Sequence, residues 1–146
     1  SHLKPHGALY NTAARDEDIS RTIVDVTIQS RIPLLIGPPN SRLEMAARQA
    51  GLPYLAEGFA DRAYEASGDL TPRTMEGAVI ALDEDRVRQA VQIASTEYVT
   101  TRTGETIALP VRTICVHGDT PGALASARAI RDALLQAGIS ITAVEP

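Results

Sequence analysis

Residues 33–51, PLLIGPPNSRLEMAARQAG, place a short apolar run, a turn and a capped helix one after another. The run over residues 33–37 lacks the alternation of a half-exposed strand, which indicates a strand covered on both faces. Ser41 and Glu44 form a capping box, and the helix that it opens should end at Gly51. A buried strand followed directly by a helix is typical of a parallel β/α fold.

The same succession continues on both sides of this stretch. A helix over about residues 16–30, capped by Asp16 or Asp18, should precede it, and a strand over residues 53–60 should follow it. The later predicted elements are a helix from Asp83, a β-hairpin over 99–109, a buried strand over 113–117, a helix from Thr120-Pro121 to Gly138 and a last strand over 139–144. This alternation predicts a parallel sheet with right-handed crossovers, either open or rolled into a barrel.

Composition limits the classes of function. The chain has 146 residues, 44% hydrophobic and 22% charged, with a net charge of -4, which fits one ordinary domain or most of one. Without a Lys/Arg cluster or a long apolar run, the sequence argues against nucleic-acid partners and membrane spans. The single cysteine, Cys115, is interpreted as a core thiol, and the absence of a signal-like segment fits a cytoplasmic protein.

The first residues predict that this chain is a fragment. It does not begin with methionine, and barely one strand's worth of residues precedes its first motif. We therefore expect a chain whose beginning has been removed, and Ser1-His2 could be a cloning remnant.

Polar residues gather where predicted strands end, and ligands of parallel β/α folds bind at the carboxyl ends of strands. The residues concerned are Lys4 and His6, Glu57 and Asp61, and His117 and Asp119. They are expected on one rim, beside a long polar loop over residues 61–73 that contains Arg62, Tyr64 and Arg73. Structural interpretations stay open: a helix cap for Asp119, a local salt bridge for Asp61-Arg62, a core position for His117.

This mixture of side chains suits acid–base chemistry on an anionic small molecule. The metal signal is weak, because the sequence contains neither His-x-x-x-His nor paired cysteines. It also contains no Walker loop and no Gly-x-Gly-x-x-Gly.

Three separated blocks closely resemble the LamB/YcsF family in order and spacing. They are KPHGALYN at residues 4–11, EGFADRAY at 57–64 with Gly68-x-Leu70-x-Pro72-Arg73, and ICVHGD at 114–119. The resemblance covers essentially the whole chain but only the later part of a typical member, whose early strands are missing here.

The resemblance implies parallel β/α units of an irregular barrel of the glycoside hydrolase/deacetylase type, with residues 1–146 as the C-terminal part of a single domain. It implies the conversion of 5-oxo-L-proline, ATP and water to L-glutamate, ADP and phosphate, by the A subunit of a complex that also contains subunits B and C. ATP would be a co-substrate, with Mg²⁺, and no tightly bound cofactor is expected. Sheet edges left open by the missing strands would invite association, including a homo-oligomer.

The resemblance also suggests roles for the candidate residues. Lys4, Arg62, Arg73 and Tyr64 would bind the substrate carboxylate or the transferred phosphoryl group. Protons and water would be handled by His6, Glu57, Asp61, His117 and Asp119, and one of these carboxylates could hold Mg²⁺. Two alternatives stay open: a metal-dependent, deacetylase-like hydrolase, and a subunit that binds a lactam without catalysing a reaction.

Overall fold

The computed structural model describes residues 1–119 and 122–144 and divides the chain into two compact units. One comprises Ser1–Glu57 with Val144, and the other comprises Gly58–Ala143. The elements are α1 (Gly7–Ala13), α2 (Glu17–Gln29), β1 (Leu35–Gly37), α3 (Arg42–Gln49), β2 (Tyr54–Phe59), α4 (Asp83–Thr96), β3 (Tyr98–Thr100), β4 (Thr106–Ala108), β5 (Thr113–Cys115) and α5 (Ala123–Gln136).

The first unit is built on parallel pairing between β1 and β2, in which Leu35 lies opposite Tyr54 and Gly37 opposite Ala56. Leu3 extends this pairing by a parallel bridge to Leu35, and the Ile36 amide donates to the Leu3 carbonyl at 2.9 Å. One cluster of buried hydrophobic residues contains Ala13, Ile23, Val24, Leu35, Leu43, Ala46, Ala47 and Leu52. The parallel β/α prediction is confirmed for this unit.

The helix caps of the first unit follow the predicted pattern, except that the hydrogen bond to the Glu44 carboxylate comes from a different amide. Asp16 accepts a hydrogen bond from the Ile19 amide at 2.9 Å, and Ser41 accepts one from the Glu44 amide at 3.1 Å. The Glu44 carboxylate accepts from the amide of Asn40 at 2.7 Å, one residue before the cap. Both helix starts are therefore fixed by local hydrogen bonds.

Gly37, the last residue of β1, lies where no larger residue fits. A methyl group on its α-carbon would collide with the Tyr54 phenol and lie 2.8 Å from Cδ2 of Leu43. The Tyr54 hydroxyl donates to the Pro38 carbonyl at 2.9 Å, and burial raises the pKa of Tyr54 well above its ordinary value. The phenol is thus uncharged and packs against the end of the strand.

The second unit contains the end of β2, an antiparallel hairpin and two packed helices. The Ala60 amide donates to the Cys115 carbonyl at 3.1 Å, which places β5 beside the end of β2. β3 and β4 pair antiparallel with Val99 opposite Ile107, as the sequence predicted. One cluster of buried hydrophobic residues in this unit contains Ala60, Ala90, Ile130 and Leu134.

A buried arginine joins α4 to α5. Arg86 donates from Nε to the Ile80 carbonyl at 2.7 Å, and from Nη1 to Ser126 Oγ at 2.9 Å and to Asp83 at 3.1 Å. Only 8% of Arg86 is exposed. The cation is stabilised by three acceptors, as a buried charge requires.

Several sequence predictions need correction. Residues 139–144 form no strand; instead the Ile139 amide donates to the Leu134 carbonyl at 3.0 Å and ends α5. Alternating apolar residues give strand propensity, but a strand also needs a hydrogen-bonding neighbour.

Helix α1 was not predicted. The described part of the chain contains no closed sheet, and the helix start predicted at Thr120-Pro121 lies outside the described residues.

Candidate active site

Asp61 and His117 form an acid–base pair in the second unit. Asp61 follows β2, His117 follows β5, and Nδ1 of the imidazole lies 2.8 Å from Oδ2 and 3.0 Å from Oδ1 of the carboxylate. The His117 backbone amide also donates to Oδ2 at 3.2 Å. Asp61 is 4% exposed, so the imidazole is oriented by a buried carboxylate through both its ring and its backbone.

Arg73 contacts the opposite side of the same ring. Its Nη2 lies 3.2 Å from Nε2 of His117. A carboxylate only accepts hydrogen bonds and a guanidinium only donates them, so the contacts assign a proton to Nδ1 and a lone pair to Nε2. His117 is thereby described as a neutral imidazole that presents a base to the side occupied by Arg73.

Two residues outside the predicted site hold this arrangement in place. The Phe59 ring stacks on the imidazole with centroids 5.6 Å apart. Gln89 of α4 donates from Nε2 to the Phe59 and Arg62 carbonyls, each at 2.8 Å. These two carbonyls flank Asp61, and the buried amide therefore fixes the turn that carries the carboxylate.

The side chains of Arg62 and Tyr64 form hydrogen bonds to the backbone of β2 and of the loop that follows it. Arg62, 5% exposed, donates to the Ala78 carbonyl at 3.1 Å and the Thr71 carbonyl at 2.6 Å. Burial lowers the pKa of Arg62, and the positive charge of Arg73 lowers it further. The Tyr64 hydroxyl accepts from the Phe59 amide at 2.8 Å. These contacts order the loop around Asp61.

The first unit brings a second predicted pair together. Lys4 Nζ donates to Glu57 Oε1 at 2.6 Å, with side chains that are 15% and 5% exposed. His6 is the exposed N-cap residue of α1, and Asp119 is exposed two residues after His117. The structure thus places the predicted residues in two sets, Lys4 with Glu57 and Asp61 with His117 and Arg73.

The family model for LamB/YcsF matches residues 1–146. This chain belongs to the LamB/YcsF family. The A subunit of 5-oxoprolinase from Streptomyces griseus is 46% identical over 144 residues, which are 98% of this chain and 58% of that protein. The same subunit from Symbiobacterium thermophilum is also 46% identical, over 97% of this chain and 55% of its own length.

A solved structure is similar throughout the LamB/YcsF chain. The crystal structure of a lactam utilization protein from Thermus thermophilus has a TM-score of 0.87 and 39% sequence identity. The match covers 98% of this chain and 57% of that one. The chain therefore spans a little more than half the length of the relatives that it matches.

The motif blocks of this LamB/YcsF chain carry the contacts of the site. Asp61, with Phe59 and Arg62, comes from the second block, and His117 comes from the third. Little in the sequence pointed to Gln89, a polar residue next to the apolar stripe of α4. Gln89 is only 9% exposed, and this burial, which marks it as a supporting residue, is visible only in the folded structure.

Within residues 1–119 and 122–144, no three His, Cys, Asp or Glu side chains converge to form a metal site. Asp61, the carboxylate closest to His117, is already engaged by the ring and amide of that residue. Across the same ranges, no helix has the length and apolarity needed to cross a membrane.

Proposed function

We propose that this LamB/YcsF chain acts as the A subunit of an ATP-dependent 5-oxoprolinase, which opens the ring of 5-oxo-L-proline to give L-glutamate. The proposal is supported by two relatives at 46% identity whose names describe the A subunit of 5-oxoprolinase. In the structure, it rests on one observation: His117 is set between Asp61 and Arg73 with its Nε2 lone pair turned toward a cation.

The chemistry explains why ATP would be needed. A five-membered lactam is an amide, and its carbonyl carbon reacts slowly with water. Transfer of the γ-phosphoryl group of ATP to the lactam oxygen would activate that carbon. Water would then add to that carbon, and breaking of the C–N bond would give γ-glutamyl phosphate. A second water would hydrolyse this acyl phosphate to L-glutamate and phosphate, while ADP is released from the phosphoryl transfer.

In this proposal, His117 takes a proton from the attacking water at Nε2, and Asp61 stabilises the resulting imidazolium. Arg73 binds the substrate carboxylate or the phosphoryl group, which are both oxyanions suited to a guanidinium. Lys4, Arg62 and Tyr64 remain further candidates for substrate binding, and His6, Glu57 and Asp119 for proton transfer. No step is assigned to a protein-held metal; Mg²⁺ would arrive with ATP.

The names of the relatives, which specify one subunit among several, support a multi-subunit enzyme. We propose B and C subunits of 5-oxoprolinase as the partners of this chain. We also propose that the parallel β/α units belong to an irregular barrel of the deacetylase type in the complete protein.

Reconstitution with the B and C subunits tests the function directly. ATP hydrolysis and glutamate formation are measured for the wild type, His117→Gln and the exposed control Arg131→Gln. Wild type and control should form glutamate from 5-oxo-L-proline only with ATP, and His117→Gln should lose about 10²–10⁴-fold in turnover. Unchanged glutamate formation by His117→Gln would show that this ring is not the base.

A further inference from the structure

Building on the proposed function, we propose that Arg73 selects substrates that carry an oxyanion and frees the His117 base when such a substrate binds. In the structure, the guanidinium covers the Nε2 lone pair. A bound carboxylate or phosphoryl oxygen would replace Nε2 as the partner of Arg73 and leave the lone pair open to the attacking water.

The two sides of the imidazole differ in a way that suits this exchange. On the Nδ1 side, Asp61 is buried and also holds the His117 backbone amide. On the Nε2 side, Arg73 is exposed and lies on a turn after Pro72. The proton of the ring is thus held firmly, while the group that covers the lone pair can move.

Hydrogen-bond strength decides the direction of the exchange. Arg73 donates to a neutral imidazole nitrogen at 3.2 Å, and within the described residues it forms no ion pair with a carboxylate. Arg73 is a cationic donor in either case, but only an oxyanion adds an opposite charge and can accept from two N–H groups of the guanidinium at once. An oxyanion of the substrate therefore outcompetes Nε2 for the guanidinium.

The local charge favours the same ligand. Arg62 and Arg73 are close enough for the charge of Arg73 to lower the pKa of Arg62. Asp61 supplies one negative charge against these two cations, and His117 is neutral in this arrangement. Of these two cations, Arg73 is the exposed one and is therefore the one that an anion can reach.

The freed Nε2 can carry one proton from the attacking water to the leaving nitrogen. Nε2 accepts a proton from water as the water oxygen bonds to the activated lactam carbon. The imidazolium then passes this proton to the ring nitrogen of the lactam as the C–N bond breaks, which leaves γ-glutamyl phosphate. A second water hydrolyses this acyl phosphate to L-glutamate and phosphate. When the product leaves, Arg73 returns to the neutral Nε2.

Nitrogen-15 NMR of the His117 side chain in the 146-residue chain tests the proposal without requiring turnover. The ligand-free spectrum should show a protonated Nδ1 and an unprotonated Nε2. Addition of 5-oxo-L-proline should shift the Nε2 signal, whereas 2-pyrrolidinone, the same lactam without a carboxylate, should leave it unchanged. Inorganic phosphate is the second oxyanion and distinguishes a phosphoryl site from a carboxylate site.

A shift with either oxyanion and none with 2-pyrrolidinone supports the proposal. A protonated Nε2 in the free protein, equal shifts with both lactams, or no shift with any probe would overturn it. If the oxyanion response is present but the reconstituted complex forms no glutamate, the exchange stands and the proposed function fails.

Variants of Arg73 give a second readout. In the reconstituted complex, Arg73→Gln should raise the KM for 5-oxo-L-proline about 10–100-fold while changing kcat far less, because a charged hydrogen bond to the substrate is lost. Arg73→Lys should recover part of this loss, and Arg131→Gln should change neither constant. A fall in kcat with an unchanged KM would contradict the role in substrate selection.

Discussion

A single carboxylate, that of Asp61, determines the tautomer of the His117 ring. Asp61 accepts from both Nδ1 and the backbone amide of His117, so its negative charge determines where the ring proton lies. Glu57 belongs to the same sequence block as Asp61, yet it lies in the first unit, where it pairs with Lys4. At this scale, the function depends on which acidic residue reaches which base.

The Asp61→Asn substitution should disable the base while preserving its position. An asparagine can donate from its amide to Nδ1, which moves the ring proton to Nε2 and removes the lone pair. We expect glutamate formation by the reconstituted complex to fall about 10²–10⁴-fold. Steady-state kinetics and nitrogen-15 NMR of His117 measure the two effects.

The matched control for this substitution is Asp132→Asn on the exposed side of α5, which should leave both activity and spectrum unchanged. Full activity of Asp61→Asn, or an unaltered ring tautomer, would contradict the assigned role of Asp61.

At the scale of elements, α4 supports the site through one buried amide. Gln89→Met removes a donor and leaves the Phe59 and Arg62 carbonyls without it. The free energy of unfolding should fall by about 1–3 kcal/mol, since buried polar groups lose a partner. Denaturant unfolding at neutral pH measures this loss.

Gln92→Met, nearly one turn further along α4, is the control. Gln92 donates to Thr100 Oγ1 at the surface, where its loss should change stability by less than about 0.5 kcal/mol. Equal effects of the two substitutions would mean that Gln89 does not hold the turn.

The β3–β4 hairpin is joined to the loop after β2 by Glu65. Its carboxylate accepts from Arg102 Nε at 3.1 Å and from Thr71 Oγ1 at 2.7 Å. The hydrogen bonds from Arg102 and Thr71 lower the pKa of Glu65 below its ordinary value of 4.5. The folded protein thus binds this proton less readily than the unfolded chain does.

From the sign of this difference, Glu65 stabilises the fold above about pH 4.5, and the contribution disappears as the pH falls through the lowered pKa. Denaturant unfolding measured from pH 7 to pH 3 should therefore lose part of its pH dependence in Glu65→Gln. Glu105→Gln, an exposed change in the hairpin, is the control. An unchanged pH profile in Glu65→Gln would contradict the prediction.

At the scale of the whole molecule, the chain corresponds to 58% of its relative from Streptomyces griseus. A chimera in which residues 1–146 replace the matching segment of that relative should support ATP-dependent glutamate formation with the B and C subunits. The reason is that the identity of 46% extends over 98% of this chain. An assay of glutamate release measures the result.

The same chimera carrying His117→Gln should lose this activity, whereas Arg131→Gln should keep it. If the unmodified chimera assembles with its partners but forms no glutamate, the shared function of the two segments is wrong.

Elements that have local causes could be predicted from the sequence. The caps at Asp16 and Ser41, the hairpin near Gly104 and the buried strand before Gly37 each follow from neighbouring residues. The three motif blocks also identified the family. Hydrogen bonds within a few residues and the periodicity of apolar positions are sufficient for such predictions.

The hydrogen-bond partners of the site residues depend on the folding of distant segments against one another. Asp61 and His117 are 56 residues apart in the sequence, and Arg73 and His117 are 44 apart. Spacing could place these residues at strand ends but could not assign Asp61 rather than Glu57 to the imidazole. That choice, like the missing strand over residues 139–144, depends on contacts between distant segments, whose geometry is set by the packing of the core.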